Sequence, residues 1–205
     1  MKLRHPLNYV LLAILILFTS ACTHTAPPAV PAEPQERGRF SGLDLTNPWV
    51  LVDTKRKILV VYRRGYSPRI FKGLALGAAN AGFKRRRGDD VTPLGRYRIH
   101  SIRPSAKFKI FMHLNYPNME DAQRALDDRR IDRGTYALIE GAHRRGELPP
   151  QNTPLGGLIG IHGLGRGSRI IHRLANWTSG CMALNNRQIV ELSTMVHRGV
   201  VVEIR

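Results

Sequence analysis

The stretch Ile159–Asn186 reads "IGIHGLGRGSRIIHRLANWTSGCMALNN", with a histidine ending an apolar run and, further on, a cysteine set between Gly180 and Met182. Three readings of Cys181 stand at this point: a buried core thiol, a metal ligand, or a nucleophile for which His162 is the base. Nucleophilic catalysis by cysteine needs a base within hydrogen-bond reach, a third group to orient that base, and backbone N–H donors for the oxyanion. A thiol of unperturbed pKa about 8.5 is only a few per cent ionised at neutral pH, and a neighbouring imidazolium or helix N-terminus can lower that value. A zinc site would need several Cys or His ligands at close spacing. One thiol among scattered histidines does not supply them, so neither a metal nor another cofactor is expected. His113 in "FMHLNY" and His172 in "IIHRL" are read as structural, and Trp177 as either packing or a substrate wall.

Rigid elements must hold such a pair. "WVLVDTKRKILVVYRRG" carries two β-rich runs, Trp49 to Val52 and Ile58 to Tyr62, across a polar turn, and "RIFKGLALG" supplies a third strand of a meander. "GRYRIHSI" and "KFKIFMHLNY" follow as strands, with "DDVTPLG" as a turn-rich loop before them. "NMEDAQRALDDRR", N-capped by Asn118, and "TYALIEGAHRRGEL" form a helical insertion that "PPQNTPLGG" ends. "GLIGIHG" is a strand, "NNRQIVELSTMVHRG" a helix with Ile189, Leu192 and Val196 at helical spacing and Gly199 as its stop, and "VVVEIR" a closing strand. His162 then ends a strand, and Cys181 lies just ahead of a helix, 19 positions further on across a Gly-rich, basic loop. The fold expected is mainly β with short helices.

The ends of the chain place this domain in a compartment. Lys2, Arg4 and His5 precede "NYVLLAILILFTSA", too short an apolar run to span a bilayer but suited to a secretory signal over residues 1–21. "LFTSAC" resembles the lipobox of bacterial lipoproteins, with Thr19 where those signals usually carry Leu. That resemblance implies acylation of Cys22, and Thr23 in place of Asp implies a periplasmic protein anchored to the outer membrane. Residues 22–46 read as a proline-rich tether, since the segment has too little apolar surface to offset its ordering entropy. The folded domain is expected over 47–205. With Cys22 lipidated, Cys181 has no disulfide partner in an oxidising compartment, which favours a use for the thiol over an inert one.

Charge points to anionic partners. Lys plus Arg number 32 against 15 Asp plus Glu, a formal +17, or 17 − 2 = +15 without Lys2 and Arg4. A nucleic-acid-binding module is set aside by the signal segment and by the lack of a helix-turn-helix or aromatic RNA-binding motif. The anions left are membrane headgroups, met through the lipidated N-terminus, and cell-wall carboxylates. A non-catalytic peptidoglycan-binding lipoprotein remains an alternative in which the Cys–His pair is dispensable.

"IHG…WTSGCMALNN", preceded by "DDVTPLGRYRI" and the "VLVDTKRKILVVYRRG" hairpin, resembles the L,D-transpeptidase catalytic domain (the YkuD-like family) from about Asn47 to Arg205. It is most similar to the murein lipoprotein-like branch with "YPN", an acidic-basic helix and "WT-x-GC-x-A", here Tyr116 to Asn118 and Trp177 to Ala183. The resemblance implies a β-sandwich-like fold and attack by Cys181 on the amide between diaminopimelate and D-alanine of a peptidoglycan stem peptide. It makes His162 the base and the Gly163 carbonyl its orienting group, and it places oxyanion or substrate contacts at Ser179, Gly180 and Cys181. The resulting thioester would pass to an amine or to water. Ser179 and Ala183 stand where many members carry His and Arg. The missing Arg removes an anchor for a substrate carboxylate and keeps hydrolysis open, including release of a wall-linked lipoprotein.

Overall fold

The computed structural model describes residues 47–205. The signal segment 1–21, Cys22 and the tether 22–46 lie outside the described residues. Chain order is β1 (Trp49–Asp53), β2 (Ile58–Arg63), β3 (Tyr66–Lys72), β4 (Ala81–Gly82), β5 (Thr92–Pro93), β6 (Gly95–Ser105), β7 (Lys109–Leu114), α1 (Met119–Asp127) and α2 (Arg133–Arg144). It continues with β8 (Gly160–Gly163), α3 (Arg169–Leu174), β9 (Met182–Leu184), α4 (Asn186–Ser193) and β10 (Val201–Ile204).

An eight-stranded sheet runs β3-β2-β1-β10-β6-β7-β8-β9, and β4 pairs with β5 apart from it. The meander expected over β1 to β3 is present at one edge. β1 is apolar without alternation because it is enclosed on both faces, whereas β3 is an edge strand whose "YSPRIFK" exposes all but Phe71. Pro68 and the charges there blunt the edge against further pairing. β10 slots parallel to β1 and antiparallel to β6, so the last strand of the chain completes the centre of the sheet.

β6 turns the sheet. Gly95 to Arg98 pair with β10, Ile99 to Ser105 pair with β7, and the register shifts between Ile99 and Ser101. A bulge bends and twists its strand. Val50, Leu59 and Val202 on one side of that bend and Met112, Ile161 and Leu184 on the other therefore bury into one core. The result is the sandwich-like, mainly β architecture expected, with the helical insertion α1–α2 between β7 and β8. Asn118 caps α1 through a reciprocal box with Asp121, whose buried carboxylate also accepts from Tyr97 Oη at 2.8 Å and so ties the insertion to β6.

Several local expectations are corrected. The third strand lies over Tyr66–Lys72, and the "LALG" of the expected segment instead bridges to the cysteine loop. The "DDVTPLG" loop contains the short β5. α4 ends at Ser193, short of Val196, which is buried beyond the helix. The loop between His162 and Cys181 contains α3, and a strand, β9, separates Cys181 from α4.

Candidate active site

β8 and β9 run parallel in the register Ile161↔Met182, His162↔Ala183, Gly163↔Leu184. Side chains alternate faces along a strand. His162 thus shares a face with Ala183, and Cys181 lies two residues before Ala183, directly ahead of β9. Strand pairing thus brings the cysteine loop beside the strand that carries the imidazole.

The imidazole is fixed from every side. His162 is 1% exposed and its Nδ1 lies 2.8 Å from the Gly163 carbonyl oxygen. A carbonyl can only accept, so Nδ1 carries the proton and Nε2 keeps a free lone pair. Phe108 packs on the ring at 4.0 Å between centroids and Trp177 meets it edge-on at 5.8 Å. Gly163 must be glycine here: a Cβ would stand 2.6 Å from the Phe108 carbonyl oxygen and 2.7 Å from Ile189 Cγ2 of α4. Asn186, the first residue of α4, clamps the following turn by accepting from Gly165 N at 2.7 Å and donating to Gly165 O at 2.8 Å.

The cysteine loop is held with equal firmness. Gly180 has φ +118°, and a Cβ there would meet Val91 O at 2.7 Å. Its N–H donates to Thr178 Oγ1 at 3.2 Å, and that hydroxyl donates to Cys181 O at 2.6 Å. In this structure the Gly180 N–H, expected among the oxyanion contacts, is engaged with Thr178. Ser179 is exposed at the loop tip. Beneath the loop, Ala75 exchanges backbone hydrogen bonds with Ala183 at 3.0 and 2.8 Å, and Thr178 N donates to Leu76 O at 3.2 Å. Ala183 is buried in this pairing.

Electrostatics set a neutral resting pair. Burial pushes the His162 pKa down to about 4, partly offset by the Gly163 carbonyl, and Lys107 and His172 push the same way as burial. Burial pushes the Cys181 thiol up to about 11, although the Gly160 N–H and the Lys84 ammonium pull in the other direction. A strand, β9, lies between Cys181 and the N-terminus of α4. The thiol donates to Leu158 O at 3.3 Å.

Other residues take definite places. Trp177 Nε1 donates to His172 Nδ1 at 3.3 Å, so Trp177 bridges the two histidines, and His172 packs from α3. His113 donates through Nε2 to Gln151 Oε1 at 3.0 Å. Beside His162, Phe108, Trp177, Leu164, Ile171, Lys107 and Arg166 line a cavity of about 520 Å³. Among the described residues no group of three or more His, Cys, Asp or Glu is placed to hold a metal ion. Gln151, Leu158 and the buried Lys84–Asp89 ion pair are the residues near the site that the sequence did not single out.

The model of the L,D-transpeptidase catalytic domain (YkuD) matches residues 47–204. Among solved structures, a mutant form of the helical cell shape determining protein Pgp2 from Campylobacter jejuni is 25% identical, with a TM-score of 0.54 over 79% of this chain and 48% of that one. Unmutated Pgp2 is 24% identical, with a TM-score of 0.52 over 78% and 47%. The chain thus spans about half the length of these structures. No curated protein matches the sequence.

Proposed function

From the membership of this chain in the L,D-transpeptidase catalytic-domain family, we propose that it is a cysteine acyltransferase acting on peptidoglycan stem peptides. The observation that supports this reading is the β8–β9 register, which brings the loop of Cys181, directly ahead of β9, beside the strand of His162, whose Nδ1 faces the Gly163 carbonyl.

In the proposed reaction Nε2 of His162 takes the Cys181 proton as Sγ attacks the carbonyl carbon between diaminopimelate and D-alanine. The S–C bond forms, and the C–N bond breaks as the imidazolium returns its proton to the leaving amine. An amine, or water, then attacks the thioester, gives its proton to His162 and restores the thiol. The backbone N–H of Cys181 is the oxyanion donor assigned here, with Gly180 shaping the turn rather than donating. Phe108 and Trp177 wall the substrate side, and Lys107 and Arg166 supply positive charge for stem-peptide carboxylates.

Hydrolysis is the second reading. Ala183, small and buried in backbone pairing, offers no cation beside the thiol to hold the carboxylate of an acceptor peptide. Water would then replace the amine, and a wall-linked lipoprotein would be one substrate. Lipidation at Cys22 and a periplasmic, outer-membrane address complete the proposal. Incubating the protein with defined tetrapeptide muropeptides and reading products by mass spectrometry tests it: cross-linked dimers indicate transfer, tripeptides indicate hydrolysis, and unchanged substrate refutes both.

A further inference from the structure

The thiol of Cys181 does not face an empty site. Its hydrogen bond goes to Leu158 O, on the loop that joins the helical insertion to β8. Leu158 has φ +57°, a left-handed conformation that is uncommon for a side chain of this kind, and its own side chain is exposed, so packing does not explain the conformation.

Gln151 explains it. Its Oε1 accepts from Leu158 N at 2.6 Å and from His113 Nε2 at 3.0 Å, while its Nε2 donates to Tyr116 O at 2.9 Å and Pro149 O at 2.7 Å. All four hydrogen-bonding positions of the amide are thus spent on fixing one loop to its neighbours. Gly157 lets the chain pass this close, since a Cβ there would lie 2.6 Å from Gln151 Cα. The amide pins the Leu158 N–H on one side of the residue, and the carbonyl on the other side meets the sulfur.

We propose that Gln151 is a positioning residue for the nucleophile: by clamping Leu158 it holds a backbone carbonyl against the Cys181 thiol, so that the resting S–H points at Leu158 O rather than at His162. The inference rests on Cys181 being the reactive thiol, but not on the reaction it catalyses. A carbonyl accepts from S–H and repels S⁻, so the clamp favours the protonated sulfur. It guards a lone thiol from oxidation and alkylation until a substrate turns the S–H toward the imidazole. The charged group acting on the sulfur from the surrounding elements is Lys84 from the 84–89 loop; His162 stands on the neighbouring strand β8, and His113 reaches the thiol through Gln151 and Leu158.

Two measurements test this on the whole protein. Iodoacetamide alkylation of Cys181 at neutral pH, followed by intact mass, should run about two- to tenfold faster in Gln151→Ala than in wild type, the range that losing one hydrogen bond spans. Leu158→Gly keeps the backbone groups and relieves the left-handed strain, so its rate should match wild type. The infrared S–H stretch gives an arm that does not depend on the folding of Gln151→Ala. In wild type the band should show a hydrogen-bonded thiol, and it should stay there in His162→Ala. An alkylation rate unchanged or lowered in folded Gln151→Ala, or an S–H band that moves to the free-thiol position when His162 is removed, would overturn the assignment. Neither readout uses turnover, so loss of stem-peptide activity would count against the proposed reaction and leave this inference standing.

Discussion

The acid side of the pH profile should separate this site from one built on an ordinary histidine. The base must be neutral to take the proton, and burial holds the His162 pKa at about 4. At pH 5 a group of pKa about 4 is about 90% neutral, whereas one at the usual value of about 6.5 is about 3% neutral. The two cases differ by about thirtyfold in competent enzyme at pH 5 and hardly at all at pH 8. Acylation by a carbapenem, whose strained lactam mimics the scissile amide, reports the free enzyme, and intact-mass spectrometry gives its second-order rate at each pH. The expected profile is flat from pH 8 to pH 5, with its acid limb near pH 4. A rate that halves near pH 6.5 and falls about thirtyfold by pH 5 would show a solvated imidazole and refute the burial argument.

Stability should follow the same group. A histidine whose folded pKa lies below its unfolded value stabilises the fold fully above about pH 6.5, and this contribution is lost as pH falls toward 4. Wild type should therefore lose about 2–3 kcal/mol more than His162→Phe between pH 7 and pH 4 in denaturant titrations; equal losses would contradict it. Gly180→Ala must fit a Cβ 2.7 Å from Val91 O at a positive φ, and should cost about 1–3 kcal/mol with a larger loss of acylation rate; wild-type melting and rate would remove Gly180 from the site. Cys22→Ser should shift the protein out of the membrane fraction or leave its signal uncleaved, and unchanged mass and fractionation would exclude lipidation.

Much of this site was legible because its motifs are local. His162 closes an apolar run, and Asn118 begins a helix with acid in its first turn, both readable from short-range pattern. The parallel pairing of β8 with β9 was not, since "MAL" is too short to announce a strand and its partner lies across α3. α3 itself was hidden because Ile170, Ile171 and Leu174 face outward, so no buried stripe marks the helix. Lys84 is buried against Asp89 while the three arginines that follow it in the chain are exposed, a split that charge alone does not signal. The clamp at Gln151 depends on a left-handed leucine, and no residue-type preference signals one.

The most direct test of the account is to trap the acyl-enzyme. Wild-type protein quenched in acid during turnover of a tetrapeptide muropeptide should carry the mass of the donor lacking its terminal D-alanine, and peptide mapping should place that mass on Cys181. Cys181→Ala, with its fold retained, should show no adduct and no product. An adduct on another residue, or product formation by Cys181→Ala, would contradict the central claim.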